Sequence, residues 1–294
     1  MKWLACLVLV TLVLSPGTIR AGEEAVLITE TLQLRVADGF MAEREYYRAI
    51  TEYMRFRLLF PDSSRGDYAM LQTGKAYLQG GEPDRALRHF RDLRDRFPLS
   101  PLESLSRYLE GLATWKGKAP QKARDLFEAL TQDVPDTDEA PRALAALALM
   151  QLEADDPGSA AESLDLLLTR YPAHPRADQV REAGRLLAVY QSLPQKSEVL
   201  AAVLSGILPG AGYFYSKETA TGFMSLGVNG AFVAAAWTAF AQSLEAVGIL
   251  SGGIGLPFYI GNIYGSALAA RKWNQAIKNQ AQDPIYTALD FVFE

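Results

Sequence analysis

Apolar residues recur at helical spacing through the middle of the chain, and the whole pattern returns every 37 residues. Each copy has an aromatic or aliphatic residue directly before a proline, at Pro61, Pro98, Pro135 and Pro172. Three further columns keep this interval: Ala37, Gly74, Gly111 and Ala148; Ala49, Ala86, Ala123 and Ala160; and Tyr53, Phe90, Phe127 and Leu164. Such a repeat predicts stacked copies of one supersecondary unit, a solenoid whose usual role is binding.

The second copy shows how one unit is expected to fold. The small residues Gly74 and Ala86 allow two antiparallel helices to approach closely. Phe90 and Leu93 lie three residues apart and therefore share the buried stripe of the second helix. Pro98 ends that helix, because proline lacks an N–H group and clashes with the preceding turn. Each copy is thus predicted to be a helix pair.

This spacing resembles the tetratricopeptide repeat (TPR) over about residues 26–172. The period departs from the roughly 34 residues of the common unit, and the extra residues fit the stretches after each proline. Lengthened repeats of this kind resemble those of envelope assembly proteins in Gram-negative bacteria. The resemblance implies an all-α fold, a TPR-like right-handed solenoid of about four helix pairs. A helix from about residue 177 to 191 is expected to cap the stack.

The first 21 residues have the layout of a secretory signal. Lys2 precedes the apolar run Leu4–Leu14, a helix breaker follows at Pro16, and Ala21 stands at the expected cleavage point. An uncleaved anchor is the alternative. Cleavage would also remove Cys6, the only cysteine, and would leave no thiol or disulfide chemistry. The predicted organisation is a signal at 1–21, a solenoid with capping helix at 22–192, a linker at 193–198, a transmembrane helical domain at 199–273 and a tail at 274–294.

Composition changes after residue 194. Between Thr219 and Ala270 the only charged residue is Glu245, which leaves two apolar stretches, at 219–241 and 246–270. Each is long enough for the roughly 20 residues that span a bilayer. A third stretch, Val199–Tyr215, is shorter and contains Pro209-Gly210. The core of a soluble domain is the alternative. We expect a C-terminal transmembrane domain of two to three spans.

Charge favours three spans. An exported repeat domain would then leave Lys217, Arg271, Lys272 and Lys278 in the cytoplasm, as the positive-inside rule requires. With only two spans the same residues would lie outside and violate the rule. The expected location is the bacterial inner membrane, with the repeat domain facing the periplasm.

Short motifs describe the membrane domain further. Residues 208–215 (LPGAGYFY) resemble the L-P-G-x-G-x-x-Y hairpin of small bacterial polytopic domains. Glycines four residues apart are typical of membrane helices in close contact, and they predict a possible homo-oligomer; the pairs are Gly206/Gly210, Gly248/Gly252 and Gly261/Gly265. Asn229 and Asn262 are expected to form hydrogen bonds between helices rather than to bind a substrate.

No pattern in the sequence indicates catalysis, so we predict a non-enzymatic protein without cofactor or metal. His89 and His174 have no carboxylate or cysteine at ligand spacing. The net charge of −5 becomes −7 when Lys2 and Arg20 leave with the signal, which argues against nucleic acid as a partner. A basic run at 85–96 could meet anionic lipid or an acidic partner, or could be a solvated helix face.

The TPR resemblance places candidate binding residues on the first helix of each pair, along the concave groove. They are Tyr68, Leu71, Lys75 and Gln79 in the second copy, Tyr108, Leu112, Trp115 and Lys116 in the third, and Arg142 in the fourth. Aromatic residues beside cations suit a peptide partner; filling space between helices is the alternative. The predicted function is a membrane-tethered adaptor or scaffold that binds protein or peptide partners in the cell envelope. A recruiting subunit of a membrane transport or insertion complex is the second hypothesis.

Overall fold

The computed structural model describes residues 27–293, which form helices and turns only. The predicted signal lies outside these residues. Four helix pairs come first: α1 (Glu30–Ala42) with α2 (Tyr46–Leu59), α3 (Gly66–Gln79) with α4 (Pro83–Arg96), α5 (Glu103–Lys116) with α6 (Pro120–Asp133), and α7 (Glu139–Glu153) with α8 (Pro157–Arg170). A further helix, α9 (Ala177–Gln191), packs on α8. The predicted all-α stack of four helix pairs is confirmed.

The column of small residues brings the two helices of a pair together. A Cβ atom added at Gly74 would lie 2.5 Å from the ring of Phe90, and one at Gly111 would lie 2.5 Å from the ring of Phe127. Both rings are fully buried. A methyl group would overlap with the ring in either place, since real Cβ atoms do not approach so closely. Glycine in the first helix therefore makes room for the aromatic ring in the second.

One residue with a left-handed backbone turns the chain within each pair. These residues are also 37 positions apart: Arg44, Gly81, Lys118 and Asp155 have φ values of 62°, 82°, 61° and 59°. Glycine adopts this conformation freely, whereas the other three side chains cost roughly 1–2 kcal/mol each. Proline then begins α4, α6 and α8, where its missing N–H would have no partner in any case.

The first helices of the pairs form the inner wall of the stack. Helix α3 contacts α5, and α5 contacts α7, in addition to the contacts between neighbours in the chain. We call the surface of this inner wall the groove. The predicted binding residues belong to α3, α5 and α7, so the repeat architecture decides where they lie.

Two helices of the C-terminal region, α12 (Thr219–Ala241) and α13 (Glu245–Ala288), are long and apolar enough to cross a membrane. The preferred third span over Val199–Tyr215 is wrong. This stretch contains two short helices, α10 (Glu198–Ile207) and α11 (Ala211–Tyr215), which pack against each other across a turn. The 10 residues of α10 rise about 15 Å, half of the roughly 30 Å hydrocarbon layer.

The turn between α10 and α11 is held by Asn262. Its Oδ1 accepts hydrogen bonds from the Gly210 backbone N–H (2.9 Å) and from the Ser225 hydroxyl (2.7 Å), and its Nδ2 donates to the Ser205 carbonyl (2.9 Å). The predicted interhelical role of Asn262 is thus confirmed. Asn229 differs, because its Nδ2 donates to the Ser225 carbonyl within its own helix (2.8 Å).

Helix α13 joins the apolar region to the stack without a break. It continues past residue 273, where the sequence suggested a boundary, and its last part packs against α9. Lys278 Nζ lies 2.6 Å from a carboxylate oxygen of Asp155. Asn274 exchanges hydrogen bonds with the backbone of Lys196 at 2.8 and 2.9 Å. The residues that follow the apolar stretch therefore fold back onto the solenoid rather than forming a separate tail.

Candidate binding groove

Seven of the nine predicted binding residues lie along the groove. Lys75 and Gln79 of α3 and Leu112 and Lys116 of α5 line a cavity in the groove, together with Leu78, Leu109 and Phe293. Trp115 contacts Phe293, with ring centroids 5.7 Å apart. Tyr108 and Arg142 lie further along the same wall, and the Arg142 guanidinium sits 4.5 Å above the Tyr108 ring. The arrangement combines cations with apolar and aromatic side chains.

Tyr68 and Leu71 do not belong to this surface. The hydroxyl of Tyr68 donates to Asp38 at 2.9 Å, and its ring packs against the small core under α1 and α2. Leu71 is buried in the main core and, unlike Leu112, does not border the cavity. Both side chains fill space between helices, which is the alternative interpretation of their repeat positions.

The groove is occupied by the end of the chain itself. A 3₁₀ turn, Asp290–Phe293, follows α13 and packs on α7; we call residues 290–293 the C-terminal segment. The Tyr108 hydroxyl donates to the Val292 carbonyl at 2.5 Å. Phe291 lies against His174, with ring centroids 5.8 Å apart, in a pocket that Arg142 also lines. The helix stack thus contacts the C-terminal segment, which is distant in sequence, at several places.

The depth of burial differs along the C-terminal segment. Phe291 is 3% exposed and Val292 is 0% exposed, and both belong to the main core of the stack. Phe293 is 47% exposed and lies at the open edge, beside the cavity. The segment therefore has one inner and one outer aromatic contact.

Electrostatics set the character of the groove. Lys75 and Lys116 flank Phe293, and neither forms an ion pair within residues 27–293. Burial lowers the pKa of Lys75, and the charge of Arg142 lowers it further. Burial likewise lowers the pKa of His174, so this imidazole is neutral at pH 7 beside Phe291. The groove therefore carries positive charge beside Phe293.

The basic run of α4 is engaged in packing rather than free for a partner. Glu110 of α5 is buried, and it accepts hydrogen bonds from Arg91 at 2.7 Å and from Arg94. Arg85 pairs with Glu82 at 3.0 Å. Arg91 and Arg94 therefore join neighbouring helix pairs, whereas Arg85 pairs within its own helix pair and Arg88 is exposed to solvent.

The glycines of the apolar region divide into two groups. Gly206, Gly210, Gly248 and Gly265 face neighbouring groups within the chain, as do Gly212 and Gly255. In contrast, nothing lies within 4 Å of a Cβ atom added at Gly252 or Gly261. Four of the six glycines in the predicted pairs thus face contacts within one chain, and an oligomer through the two open positions stays a prediction.

The part of the chain that the structure describes offers no group of side chains for a metal ion. Residues 27–293 contain no group of three His, Cys, Asp or Glu side chains that could hold a metal ion. The ring of His89 stacks on Tyr77 at 5.2 Å, and burial lowers its pKa. The helix-pair fold is one that typically serves binding.

Sequence reasoning missed the occupant of the groove. Phe291, Val292 and Phe293 stand beyond a polar helix, and Leu109 and His174 complete their surroundings. The available signal was an aromatic cluster at the end of an otherwise polar stretch. It could not reveal its destination, because the contact between Tyr108 and Val292 bridges 184 residues.

Comparisons with known proteins agree with the fold. Residues 68–100 match the family model described as a tetratricopeptide repeat, and they cover α3, α4 and the turn that follows. The serine/threonine-protein kinase PknD of Protochlamydia amoebophila (strain UWE25) is 33% identical over 84 residues, which are 26% of this chain and only 8% of the kinase. A match of that extent does not extend kinase activity to this chain. The repeat match and the stack of helix pairs together support a tetratricopeptide-repeat protein.

Proposed function

We propose that this protein is a membrane-tethered adaptor whose groove binds a protein or peptide partner in the bacterial cell envelope. The observation that carries the proposal is the continuity of α13, which passes from the apolar stretch into contact with α9 without a break. A flexible linker would let the two parts move independently. A continuous helix instead fixes the groove at a set place beside the apolar helices, and tethering raises its effective concentration near membrane partners.

Exposure of the apolar helices supports insertion into a membrane. Only 11% and 17% of the most apolar windows of α12 and α13 are buried. Trp237 is 76% exposed and Leu250 is 63% exposed, among many large apolar side chains. A helix in the core of a soluble protein would bury these groups, at roughly 25 cal/mol per Å² of apolar surface. Lipid provides the same environment for residues 219–270, which we call the apolar hairpin.

The orientation in the membrane follows from two opposed signals. A secretory signal at the N-terminus exports the solenoid, which supports the periplasmic face of the inner membrane. In a two-span hairpin, however, Lys217, Arg271 and Lys278 lie on the solenoid side, and the loop at 242–244 has no basic residue. The positive-inside rule alone favours the reverse orientation. We propose the periplasmic orientation because export acts on the chain before the hairpin is made.

The transport alternative receives little support from the described residues. A path for an amphiphile or ion needs polar groups that face a lumen. Asn262 uses both its amide oxygen and its amide nitrogen in bonds within the protein, and Tyr259 donates to the Gly206 carbonyl. These two polar side chains of the apolar hairpin therefore hold α13 against α10 and the turn that follows it.

The adaptor proposal is tested by photo-crosslinking in native membranes. A photoreactive amino acid at Lys116, in the groove, should give a discrete adduct with a second protein in the carbonate-resistant membrane fraction. The substitutions Gln79→Ala and Trp115→Ala should reduce that adduct by about tenfold, as expected for the loss of about 1.4 kcal/mol of binding free energy.

A matched position on the other side of the stack serves as the control. Arg88 is exposed on α4, outside the groove, and should give no such adduct. Equal adducts from Lys116 and Arg88, or an adduct that is indifferent to the groove substitutions, would contradict a specific binding role.

A further inference from the structure

The contacts of the C-terminal segment define the chemistry that the groove recognises. Two aromatic rings, Phe291 and Phe293, enter separate places, against His174 and against Trp115. The backbone between them is fixed by a hydrogen bond from the Tyr108 hydroxyl to the Val292 carbonyl. A hydrogen bond to the main chain and separate places for side chains are elements that peptide-binding surfaces use.

The charge beside Phe293 indicates a further feature of the ligand. The cavity there is bordered by Lys75, Gln79 and Lys116, two of which are cations without an ion-pair partner in residues 27–293. Phe293 is followed in the sequence by Glu294, and an acidic residue at this position of a ligand would bring a carboxylate toward the two lysines. Such charge-assisted contacts are stronger than neutral hydrogen bonds.

Attachment to α13 explains why the segment occupies this place in the resting molecule. The salt bridge between Lys278 and Asp155 and the packing of α13 on α9 hold the start of the segment beside the groove. Its effective concentration is therefore high, and binding is intramolecular. Any external ligand of similar chemistry has to compete with it, which lowers the apparent affinity of that ligand.

Building on the adaptor function proposed above, we propose that the groove recognises an aromatic–aliphatic–aromatic peptide segment followed by an acidic residue. The chain's own C-terminal segment occupies this site until a partner segment of the same chemistry displaces it. The groove is thus both the partner site and the place of an intramolecular competitor.

Peptide binding to the full chain tests this inference. The probe is a fluorescein-labelled peptide of residues 288–294 (ALDFVFE), and the protein is the intact chain in detergent micelles. The variant Phe291→Ala/Phe293→Ala should bind the probe at least about tenfold more tightly than the wild type, because its own segment competes less. A probe with alanine at both phenylalanine positions should not bind. Equal affinities, or no binding to a variant with unchanged helicity, would overturn the proposal.

The charge requirement is tested separately. In the Phe291→Ala/Phe293→Ala variant, the further substitutions Lys75→Glu and Lys116→Glu should weaken probe binding by about tenfold. The substitution Arg88→Glu on the outer face should leave probe binding unchanged. A probe that ends in lysine in place of Glu294 should also bind more weakly. If the groove and outer-face variants bind alike, the acidic preference is refuted.

A second measurement avoids the loss of buried aromatic side chains. With benzoylphenylalanine at Phe293 in the otherwise unchanged chain, we expect an intramolecular crosslink to the groove that excess probe reduces. A yield indifferent to the probe, or a crosslink between two chains, would contradict displacement within one molecule. If displacement is not seen but position 116 still forms adducts with a second protein in membranes, only this inference is refuted. If the probe binds but position 116 forms no such adducts, the adaptor function is refuted.

Discussion

Substitution of Phe127 by alanine should lower the free energy of unfolding of the solenoid by about 3–5 kcal/mol, the usual cost of removing a buried phenylalanine ring. The ring is fully buried and fills the space that Gly111 leaves open on the facing helix. Movement of a single neighbouring side chain would therefore not fill the cavity that the Phe127 ring leaves. Urea denaturation followed by far-UV circular dichroism measures the change.

The close packing of Phe127 against Gly111 can be tested by a second substitution, Gly111→Ala, whose effect on stability should change sign when Phe127 is removed. In the wild type, Gly111→Ala should destabilise, because the added Cβ meets the ring at 2.5 Å, and overpacking costs about 1–3 kcal/mol. In the Phe127→Ala background it should stabilise by up to about 1 kcal/mol through helix propensity. Gly39→Ala, where nothing lies within 4 Å, is the control and should stabilise in both. The same sign for Gly111→Ala in both backgrounds would refute the close packing.

Substitution of Gly212 by alanine should disrupt the α10–α11 turn, at a cost of about 3 kcal/mol or more. The added Cβ would lie 2.0 Å from the backbone oxygen of Ala201 and 2.7 Å from the hydroxyl oxygen of Ser205. A backbone atom cannot move aside as a side chain can. The Gly212 N–H also donates to Ser205 at 3.0 Å, and this bond would be lost. Thermal unfolding in detergent measures the effect.

A control for Gly212 is available within the same region. Gly227 and Gly252 have nothing within 4 Å of an added Cβ, so alanine at either should change stability by less than about 1 kcal/mol. Similar melting temperatures for all three variants would show that α11 does not fold back against α10 as described.

The repeat region could be predicted from sequence because its signal is local and is given four times. The spacing between Gly74 and Phe90 recurs between Gly111 and Phe127, and both glycines face the rings as the pattern predicts. The left-handed turn residues were less visible. Only Gly81 among the four is a glycine, whereas Arg44 and Lys118 adopt the same backbone conformation under the constraint of the helices around them.

The C-terminal region shows where sequence reasoning fails. Hydropathy counts apolar residues and identifies α12 and α13. It cannot distinguish a membrane span from two short helices, α10 and α11, between which the chain folds back at Gly210. The positive-inside rule then favoured a third span that the helix lengths do not allow. The groove positions transferred from the TPR pattern identified the inner wall correctly. Two of them, Tyr68 and Leu71, instead pack between helices. The pattern gave no sign that residues 290–293, distant in sequence, occupy the groove.

We expect the solenoid and the end of α13 to lie on one side of the membrane, with the apolar hairpin crossing it twice. Single cysteines at Lys116, Gln280 and Gln242, in a Cys6→Ser background, test it with a membrane-impermeant maleimide on intact spheroplasts. We predict that positions 116 and 280 are labelled together and that 242 is labelled only after permeabilisation. Labelling of positions 116 and 280 from opposite sides of the membrane would rule out this two-span arrangement.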